Sequence, residues 1–477
     1  MYNPQSSHAS EFINHDEILA TLSWAEAHQH DREAIRGVIE HARQAKGLDH
    51  REAALLLLSK EDDLNEEIKQ LARDLKERFY GRRIVMFAPL YLSNYCVNGC
   101  VYCPYHGSNK TIARKKLSQD EIRREVIALQ DMGHKRLALE AGEDPIRNTM
   151  DYYLESIDTI YNIKHRNGSI RRVNINIAAT TVENYRRLHD AGIGTYILFQ
   201  ETYEKSRYEA LHPWGPKSDY AYHTEAMDRA MEGGVDDVGL GVLYGLDHYA
   251  YDFVGLMMHA EHLEARFGVG PHTISVPRIC PADDINPEDF TNAVPDDLFL
   301  HLIACIRVAV PYTGMIISTR ESSRVRAQAL DLGISQISGG SKTSVGGYDE
   351  EAAHHKAENN EVTEQFDISD TRTLDEVVHW LIQADYIPSF CTACYREGRT
   401  GDRFMSLVKS GEIANICQPN ALLTLQEYLC DYAKPATRQD GEALIARELA
   451  KIPRERVRQL TQGWLDDIIQ GKRDFRL

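Results

Sequence analysis

Hydrophobic positions near the start of the chain follow a helical spacing. They recur three or four residues apart and would form one apolar stripe along a helix, made of Leu64, Ile68, Leu71, Leu75 and Phe79. Gly81 follows the last of them, at a point where a helix would end. We therefore predict a helical N-terminal extension over residues 1–82 that packs on the outside of a larger body.

From Arg83 onward the pattern changes to short β-rich runs separated by helical stretches, as in parallel strands joined by helices. Eight runs can be counted, at residues 84–88, 136–140, 173–177, 195–199, 238–243, 273–276, 315–319 and 334–338. The helix after the first run opens with the capping box Ser118-x-x-Glu121. Eight such units predict an α/β fold, a closed (β/α)8 TIM barrel, over residues 83–345. The intervals from strand three to four and from seven to eight are short, so a six-stranded partial barrel stays open.

A Gly-rich and charged stretch follows the last run. It reads SGGSKTSVGGYDEEAAHHKAENNE from Ser338, a composition typical of loops. We interpret residues 346–372 as a linker. A third region over residues 373–477 is expected to be mainly helical and to bind an iron-sulfur cluster, for the reasons given below.

Composition excludes several classes of function. The chain has 477 residues with 54 basic and 72 acidic side chains, a formal charge of −18. A negative surplus repels phosphate backbones and argues against nucleic-acid binding. No apolar run approaches the roughly 20 residues of a membrane span, and the opening MYNPQSSHASEFINHDE does not resemble a secretory leader. We expect a soluble, cytoplasmic protein without nucleic-acid or membrane partners.

Six of the nine cysteines form two tight groups, which indicates metal sites rather than a disulfide framework. In the first group, Cys96, Cys100 and Cys103 have C-x3-C-x2-C spacing directly after the first strand, at the barrel end where active sites are built. Soft thiolates favour zinc, copper(I) or iron-sulfur clusters. A structural zinc would need a fourth ligand from elsewhere, whereas a 4Fe-4S cluster would keep one iron open for a ligand.

The second group lies near the other end of the chain. Cys391 and Cys394 form a C-x2-C pair, and Cys417 follows after 22 intervening residues. A structural zinc site is a common reading of such spacing, although no His lies between Cys394 and Cys417 to complete it. On spacing alone, zinc and an iron-sulfur cluster both stay open here.

The first motif, with the aromatic Tyr102 before its last cysteine, resembles the signature of the radical S-adenosylmethionine family. The resemblance implies that the three cysteines hold a 4Fe-4S cluster whose open iron chelates S-adenosylmethionine, and that a 5′-deoxyadenosyl radical abstracts a hydrogen atom. Segments after strands two, four and five are similar to those with which the family contacts this cofactor. With the aromatic residue of the motif, the implied cofactor contacts are Tyr102, Gly142, Glu143, Gln200, Glu201, Gly241 and Leu243.

The second cysteine group, joined to a barrel containing HPWGPKSDY, resembles one branch of that family, the tyrosine lyases that mature FeFe-hydrogenase. The resemblance implies a second 4Fe-4S cluster on Cys391, Cys394 and Cys417, joined to a fifth iron that His272 ligates. It implies cleavage of L-tyrosine to p-cresol and dehydroglycine, which breaks down to carbon monoxide and cyanide on that iron. The product would serve H-cluster assembly together with hydrogenase maturation proteins, and an electron donor would reduce the enzyme.

Further residues fit this chemistry. Arg320 follows strand seven, and its planar guanidinium suits bidentate binding of an amino-acid carboxylate, a role that the resemblance supports. Tyr91 after strand one and Ser338 after strand eight would line the same pocket, with packing or capping roles equally open. His272 precedes strand six and would lie at the opposite end of the barrel. Strands of about six residues at ~3.3 Å each would separate the two clusters by roughly 20 Å, so the intermediate would need a tunnel.

Two other functions stay open on the sequence. A 2-iminoacetate synthase of thiamine thiazole biosynthesis would share the barrel motif and use the C-terminal cysteines for a structural metal, although the resemblance implies that such lyases lack the second cysteine group. An iron-sulfur scaffold that passes iron to a partner would make no 5′-deoxyadenosine. Carbon monoxide release would separate the maturase from the synthase.

Overall fold

The computed structural model describes residues 1–349, 354 and 362–477. Its N-terminal extension consists of the helices Ala9–Phe12, His15–His28, Arg32–Ala42, His50–Leu58 and Asp62–Tyr80. The predicted apolar stripe lies on the last of these helices, and all of its side chains are buried. That helix ends at Gly81, whose φ of 58° a glycine adopts without strain, and it packs on the outside of the barrel.

Eight parallel strands form the closed barrel. The strands of the chain are β1 (Arg83–Ser93), β2 (Arg136–Ala141), β3 (Lys164–His165), β4 (Gly168–Ser169), β5 (Arg172–Asn176), β6 (Tyr196–Ile197), β7 (Val238–Gly241), β8 (Thr273–Ser275), β9 (Gly314–Ile317), β10 (Gln336–Ser338) and β11 (Ile387–Ser389). β3 and β4 form a separate hairpin, and the other strands run in the order β10-β9-β8-β7-β6-β5-β2-β1-β11. β10 also pairs with β1, with Val85 opposite Gln336, which closes the ring. The predicted (β/α)8 barrel is confirmed, and the six-stranded alternative is wrong.

Helices on the outside connect successive strands. They are Gln119–Met132, Met150–Asn162, Val182–Asp190, Lys205–Leu211, Tyr220–Thr224, Ala226–Glu232, Tyr249–Phe267, Asp296–Ala309 and Ser323–Leu332, with 3-10 turns at Pro216–Ser218 and Pro287–Asp289. The first begins with the predicted capping box of Ser118 and Glu121. The two short intervals in the sequence hold helices of 9 and 10 residues, so each is long enough for a crossover.

The C-terminal region is mainly helical and sits at the amino end of the barrel strands. Its helices are Leu374–Gln383, Ala393–Arg396, Gly401–Ser410, Ala414–Asp431, Pro435–Ala450 and Glu455–Ile469. β11 pairs in parallel with the beginning of β1, with Arg83 opposite Ile387, and this pairing fixes the region under the barrel. Within the described residues, no helix has both the length and the apolar character that crossing a bilayer requires.

Residues 346–372, which we interpreted as a linker, lie partly outside the described residues. The described part from residue 362 onward folds back over the carboxyl end of the barrel. The hydroxyl of Tyr105 donates to the carbonyl oxygen of Thr363 at 3.2 Å, and that of Tyr91 donates to Gln365 at 2.8 Å. This part of the segment therefore supplies one wall of the barrel mouth.

Candidate functional site

The loop after β1 carries the first three thiols. Cys100 is buried, Cys96 and Cys103 are partly exposed, and all three line one cavity at the carboxyl end of the barrel. Arg114 braces the loop, because its guanidinium donates to the carbonyl oxygens of Asn94 and of residue 105 at 2.6 and 2.7 Å. The loop therefore keeps its shape through backbone contacts and leaves the thiols facing the cavity.

The chemistry of these thiols fits an iron-sulfur cluster. Burial raises the pKa of each thiol, that of Cys103 to about 11, with Cys96 adding to the effect. Buried thiolates of this kind are stabilised by a metal centre. Among the described residues, no three His, Cys, Asp or Glu side chains lie close enough together to bind a single metal ion. Three soft sulfur donors on one cavity wall are the donor set of a cluster with one open iron.

Gly142 lets the end of β2 approach the cysteine loop. A β-carbon at this position would lie 2.5 Å from the carbonyl oxygen of Tyr95 and 3.0 Å from the β-carbon of Cys96. The neighbouring Glu143 accepts a hydrogen bond from the amide of Asn98 at 2.7 Å, and burial raises the pKa of its carboxyl. Both residues line the same cavity as the three thiols.

Glu201 and Leu243 form the facing wall, whereas Gln200 and Gly241 do not line the cavity. Glu201 has φ 69°, and its carboxylate lies 2.7 Å from Nζ of Lys217. Burial works against the charge of Lys217, but Glu201 together with the nearby Cys100 and Cys103 outweighs burial and raises the pKa of Lys217. The predicted contact at Gln200 is turned away, because its amide donates to Thr224 at 2.9 Å inside the wall.

Gly241 instead makes room for a neighbour. A β-carbon there would lie 2.5 Å from the ring of Phe199, and Phe199 itself lines the cavity. The glycine therefore acts on the cavity through the position of that ring.

Tyr102 is fixed by a histidine from the HPWGPKSDY segment. Its hydroxyl lies 2.7 Å from Nε2 of His212, whose Nδ1 lies 2.7 Å from the carbonyl oxygen of Tyr208. Burial and the charge of Lys217 lower the pKa of His212 to about 3, so the ring is neutral. We assign the proton to Nδ1, which donates to Tyr208, and Nε2 accepts from Tyr102.

A second cavity adjoins the first inside the barrel, and Arg320, Tyr91 and Ser338 all line it. Arg320 also lines the thiol cavity, so it stands where the two spaces meet. Its guanidinium lies 3.7 Å from the ring centre of Phe366 and, within the described part of the chain, forms no ion pair with a carboxylate. The side chain is therefore available to an anionic ligand.

The thiol cavity and the second cavity are both at the carboxyl end of the barrel, and we call them the upper cavities. Glu140 of β2 lines both of them. Burial raises the pKa of its carboxyl to about 8, although the charge of Arg320 acts in the opposite direction. At neutral pH the carboxyl carries a proton, so it does not neutralise the nearby guanidinium.

The second thiol triad lies at the opposite end of the barrel, where Cys391, Cys394 and Cys417 line one cavity together with His272. A hydrogen bond from Cys417 and the charge of Arg399 lower the pKa of Cys394. Burial raises the pKa of Cys391 to about 11. The histidine lies at the amino end of β8, where the sequence placed it.

Three arginines lie around this cavity, which we call the lower cavity. Arg83, Arg136 and Arg172 begin β1, β2 and β5, and none of them forms a close ion pair with a carboxylate among the residues that the structure describes, although Asp237 acts on Arg172 at longer range. The Nε atoms of Arg136 and Arg172 are buried without a hydrogen-bond partner. Buried cations without an anion are costly, so the surroundings fit a negatively charged group such as a cluster held by three thiolates.

The upper and lower cavities approach each other inside the barrel. On each of four strands, one residue lines the lower cavity, and the residue two positions further along the strand lines the second of the upper cavities. The pairs are Val85 and Phe87, Arg136 and Ala138, Gly314 and Ile316, and Gln336 and Ser338. Two residues of strand span about 7 Å, so a single layer of side chains separates the two spaces.

The sequence did not indicate several residues of the site. Glu140 and Asn176 lie at the carboxyl ends of predicted strands, a position that could have marked them as candidates. Lys217 and His212 belong to the HPWGPKSDY segment, in which the sequence indicates no role for single residues. Nothing in the local sequence marks the cavity residues Gln365 and Phe366.

Two family models match the chain. One is the radical SAM superfamily over residues 90–257, and the other is the biotin and thiamin synthesis associated domain over residues 275–387. Among curated proteins, the 2-iminoacetate synthase of Salmonella typhimurium is 30% identical over 341 residues, which cover 71% of this chain and 86% of that protein.

Solved structures of HydG are similar to nearly the whole chain. One, described as a maturase of the [FeFe]-hydrogenase, is 53% identical with a TM-score of 0.93 and covers 98% of this chain and 100% of its own. HydG from Carboxydothermus hydrogenoformans is 35% identical with a TM-score of 0.81 and covers 96% of this chain and 99% of its own. The similarity thus includes the barrel and the C-terminal region together. The chain belongs to the HydG family within the radical S-adenosylmethionine superfamily.

Proposed function

We propose that this radical S-adenosylmethionine enzyme is a tyrosine lyase that matures FeFe-hydrogenase. It cleaves L-tyrosine to p-cresol and dehydroglycine, and it collects carbon monoxide and cyanide on an iron of the lower site. The observation that carries the proposal is the presence of two thiol triads in cavities at opposite ends of one barrel. Similarity to HydG over both ends supports it.

The upper site would bind cofactor and substrate side by side. Its three cysteines would hold the first 4Fe-4S cluster, and Tyr102, Gly142, Glu143, Glu201 and Leu243 would surround S-adenosylmethionine. When bound, this pair supplies the 5′-deoxyadenosyl radical. Arg320 would hold the tyrosine carboxylate bidentately while the neutral Glu140 leaves it free to do so. Tyr91 and Ser338 would line the remainder of the substrate space.

The lower site would hold the second 4Fe-4S cluster on Cys391, Cys394 and Cys417, with His272 as a ligand of a fifth iron. The positive surroundings of this cavity suit the charge of such a group. The iron-carbonyl-cyanide product would pass to hydrogenase maturation proteins, and an electron donor would reduce the upper cluster. The thin layer of side chains between the cavities supports a passage for dehydroglycine.

A second candidate is the 2-iminoacetate synthase reaction with a structural metal in the lower site. The similarity to the Salmonella typhimurium enzyme over 86% of its length favours this candidate. Both functions share tyrosine cleavage and differ in the fate of dehydroglycine.

The deciding experiment measures carbon monoxide by the absorbance of a haem protein. Anaerobic enzyme, reconstituted with iron and sulfide, receives dithionite, S-adenosylmethionine and L-tyrosine, and p-cresol and 5′-deoxyadenosine are quantified in parallel. We expect carbon monoxide in proportion to p-cresol. Cresol without carbon monoxide would move the assignment to the synthase, and absence of 5′-deoxyadenosine would leave a scaffold.

A further inference from the structure

The hydroxyl of Tyr395 blocks the nitrogen of His272 that faces the lower cavity. The Tyr395 oxygen lies 2.9 Å from Nε2 of His272, and the two rings meet edge to face with centroids 5.8 Å apart. Both side chains line the cavity of the second thiol triad. The candidate ligand of the fifth iron is therefore already engaged by another side chain.

The network around His272 assigns the hydrogen in this contact. Nδ1 of the ring lies 3.3 Å from Oδ1 of Asp237 without a regular hydrogen bond, and we assign the ring proton to Nδ1, where it faces the carboxylate. Nε2 consequently has a lone pair, and the Tyr395 hydroxyl donates to it.

Tyr395 is held in this position from two further sides. Its hydroxyl lies 3.2 Å from Oγ1 of Thr195, which completes its hydrogen bonds. The guanidinium of Arg172 stacks over its ring, 3.4 Å from the ring centre. The contact with His272 is thus part of a fixed arrangement in the lower cavity.

A metal on Nε2 cannot coexist with this arrangement. Metal-imidazole bonds are about 2 Å long, so a metal on the same lone pair would lie within roughly 1 Å of the present Tyr395 oxygen. The hydroxyl has to leave before any ion binds. Tyr395 directly follows Cys394 in the short helix Ala393–Arg396, so the competing hydroxyl lies beside one of the thiols that would hold the cluster.

We propose that Tyr395 is a positioning residue whose hydroxyl competes with metal for Nε2 of His272, so that His272 alone binds metal weakly and the fifth iron binds only after the cluster on Cys391, Cys394 and Cys417 has added its own ligands. This inference rests on the proposed function of the lower site. The proposed role belongs to the hydroxyl of Tyr395, whereas the ring of Tyr395 packs against Arg172.

The test compares fifth-iron binding in wild type and in Tyr395→Phe, which keeps the ring and removes the hydroxyl. Protein with both clusters reconstituted is titrated with 57Fe(II) at set free concentrations, and occupancy is read by Mössbauer spectroscopy. In wild type, the hydrogen bond from Tyr395 to His272 has to break before iron binds, and Tyr395→Phe removes this cost. Half-saturation of the variant is therefore expected at roughly 2- to 12-fold lower free iron. In protein without clusters, Tyr395→Phe should bind Co(II) at His272, seen by its visible absorbance, at a similarly lower free concentration than wild type.

Tyr80→Phe is the matched control, because Tyr80 lines the same cavity but donates to the carbonyl oxygen of Tyr312 at 2.8 Å instead of to His272. It should bind iron as wild type does, and p-cresol is quantified in both phenylalanine variants to show that the barrel is folded. Equal or weaker iron binding by Tyr395→Phe would overturn the inference.

His272→Ala separates this inference from the proposed function. If His272→Ala loses the fifth iron while Tyr395→Phe behaves as wild type, the lower site stands and the role of Tyr395 fails. If His272→Ala binds the iron normally, His272 is not a ligand, and both the lower site as proposed and the inference fail.

Discussion

Replacement of Arg320 by glutamine tests how the upper site holds its substrate. The guanidinium stands where the two upper cavities meet, rests on the ring of Phe366, and has no carboxylate ion partner within the described residues. Its neighbour Glu140 is protonated at neutral pH. The charge of Arg320 is therefore uncompensated until a carboxylate binds, and Arg320→Gln should weaken use of L-tyrosine selectively.

The size of the effect follows from the two hydrogen bonds that a guanidinium makes to a carboxylate. Each charge-assisted bond contributes about 1.5–3 kcal/mol, and the glutamine amide restores part of one of them. A net loss of about 2–4 kcal/mol corresponds to a fall of roughly 30- to 900-fold in kcat/KM for tyrosine. The cysteine loop is untouched, so the iron content of the upper cluster and the tyrosine-independent cleavage of S-adenosylmethionine should stay near wild type.

The assay quantifies p-cresol over a range of tyrosine concentrations and 5′-deoxyadenosine without tyrosine. Arg324→Gln is the matched control, since Arg324 is an exposed arginine of the next helix whose carboxylate partner is Asp296. A kcat/KM of Arg320→Gln within twofold of the control would refute the reasoning, because no other arginine among the described residues lines both upper cavities.

Three further results are expected. Cys391→Ala should keep p-cresol formation within about twofold and lose carbon monoxide, while Cys100→Ala loses both; equal loss of p-cresol would contradict two separate sites. The carboxyl of Glu140 ionises near pH 8 and would then pair with Arg320 in place of the substrate. Kinetics measured over a range of pH should therefore show that the KM for tyrosine rises above pH 8 in wild type and stays constant in Glu140→Gln. Gly142→Ala should lower the iron content and visible absorbance of the upper cluster, since overpacking costs about 1–3 kcal/mol, whereas Gly37→Ala, with open space at its β-carbon, should not.

The barrel could be predicted because its strands are short apolar runs with turn signals between them. Prediction was least accurate where tertiary contacts end a strand. Residues 195–199 suggest five strand positions, but β6 contains only Tyr196–Ile197, and the chain bends beyond it to reach the positive φ of Glu201. β11 has only three residues and contains Pro388, so no local pattern marks it.

The candidate site was predictable where its chemistry lies in a short motif and not where distant residues meet. Cysteine spacing alone points to both metal sites. The contact of Tyr395 with His272 joins residues 123 positions apart, and the folding of Gln365 over the mouth of the barrel depends on a segment whose composition is that of a loop. Such juxtapositions follow from barrel closure and from the pairing of β11, which local sequence does not encode.

Under the proposed function, one strand carries an ionisable side chain at each end of the barrel. Inner-face positions of β2 are Arg136 at the lower cavity, Ala138 between the cavities and Glu140 at the upper cavity. The acid is neutral at pH 7, so it does not repel an anion, and the lower arginine has no carboxylate partner in the described residues. A small side chain stands between them. Dehydroglycine carries a carboxylate, so once released from Arg320 it would meet no ionised acid on this strand, and Ala138, the smallest of the three side chains, would leave it the most room on the way to the lower site.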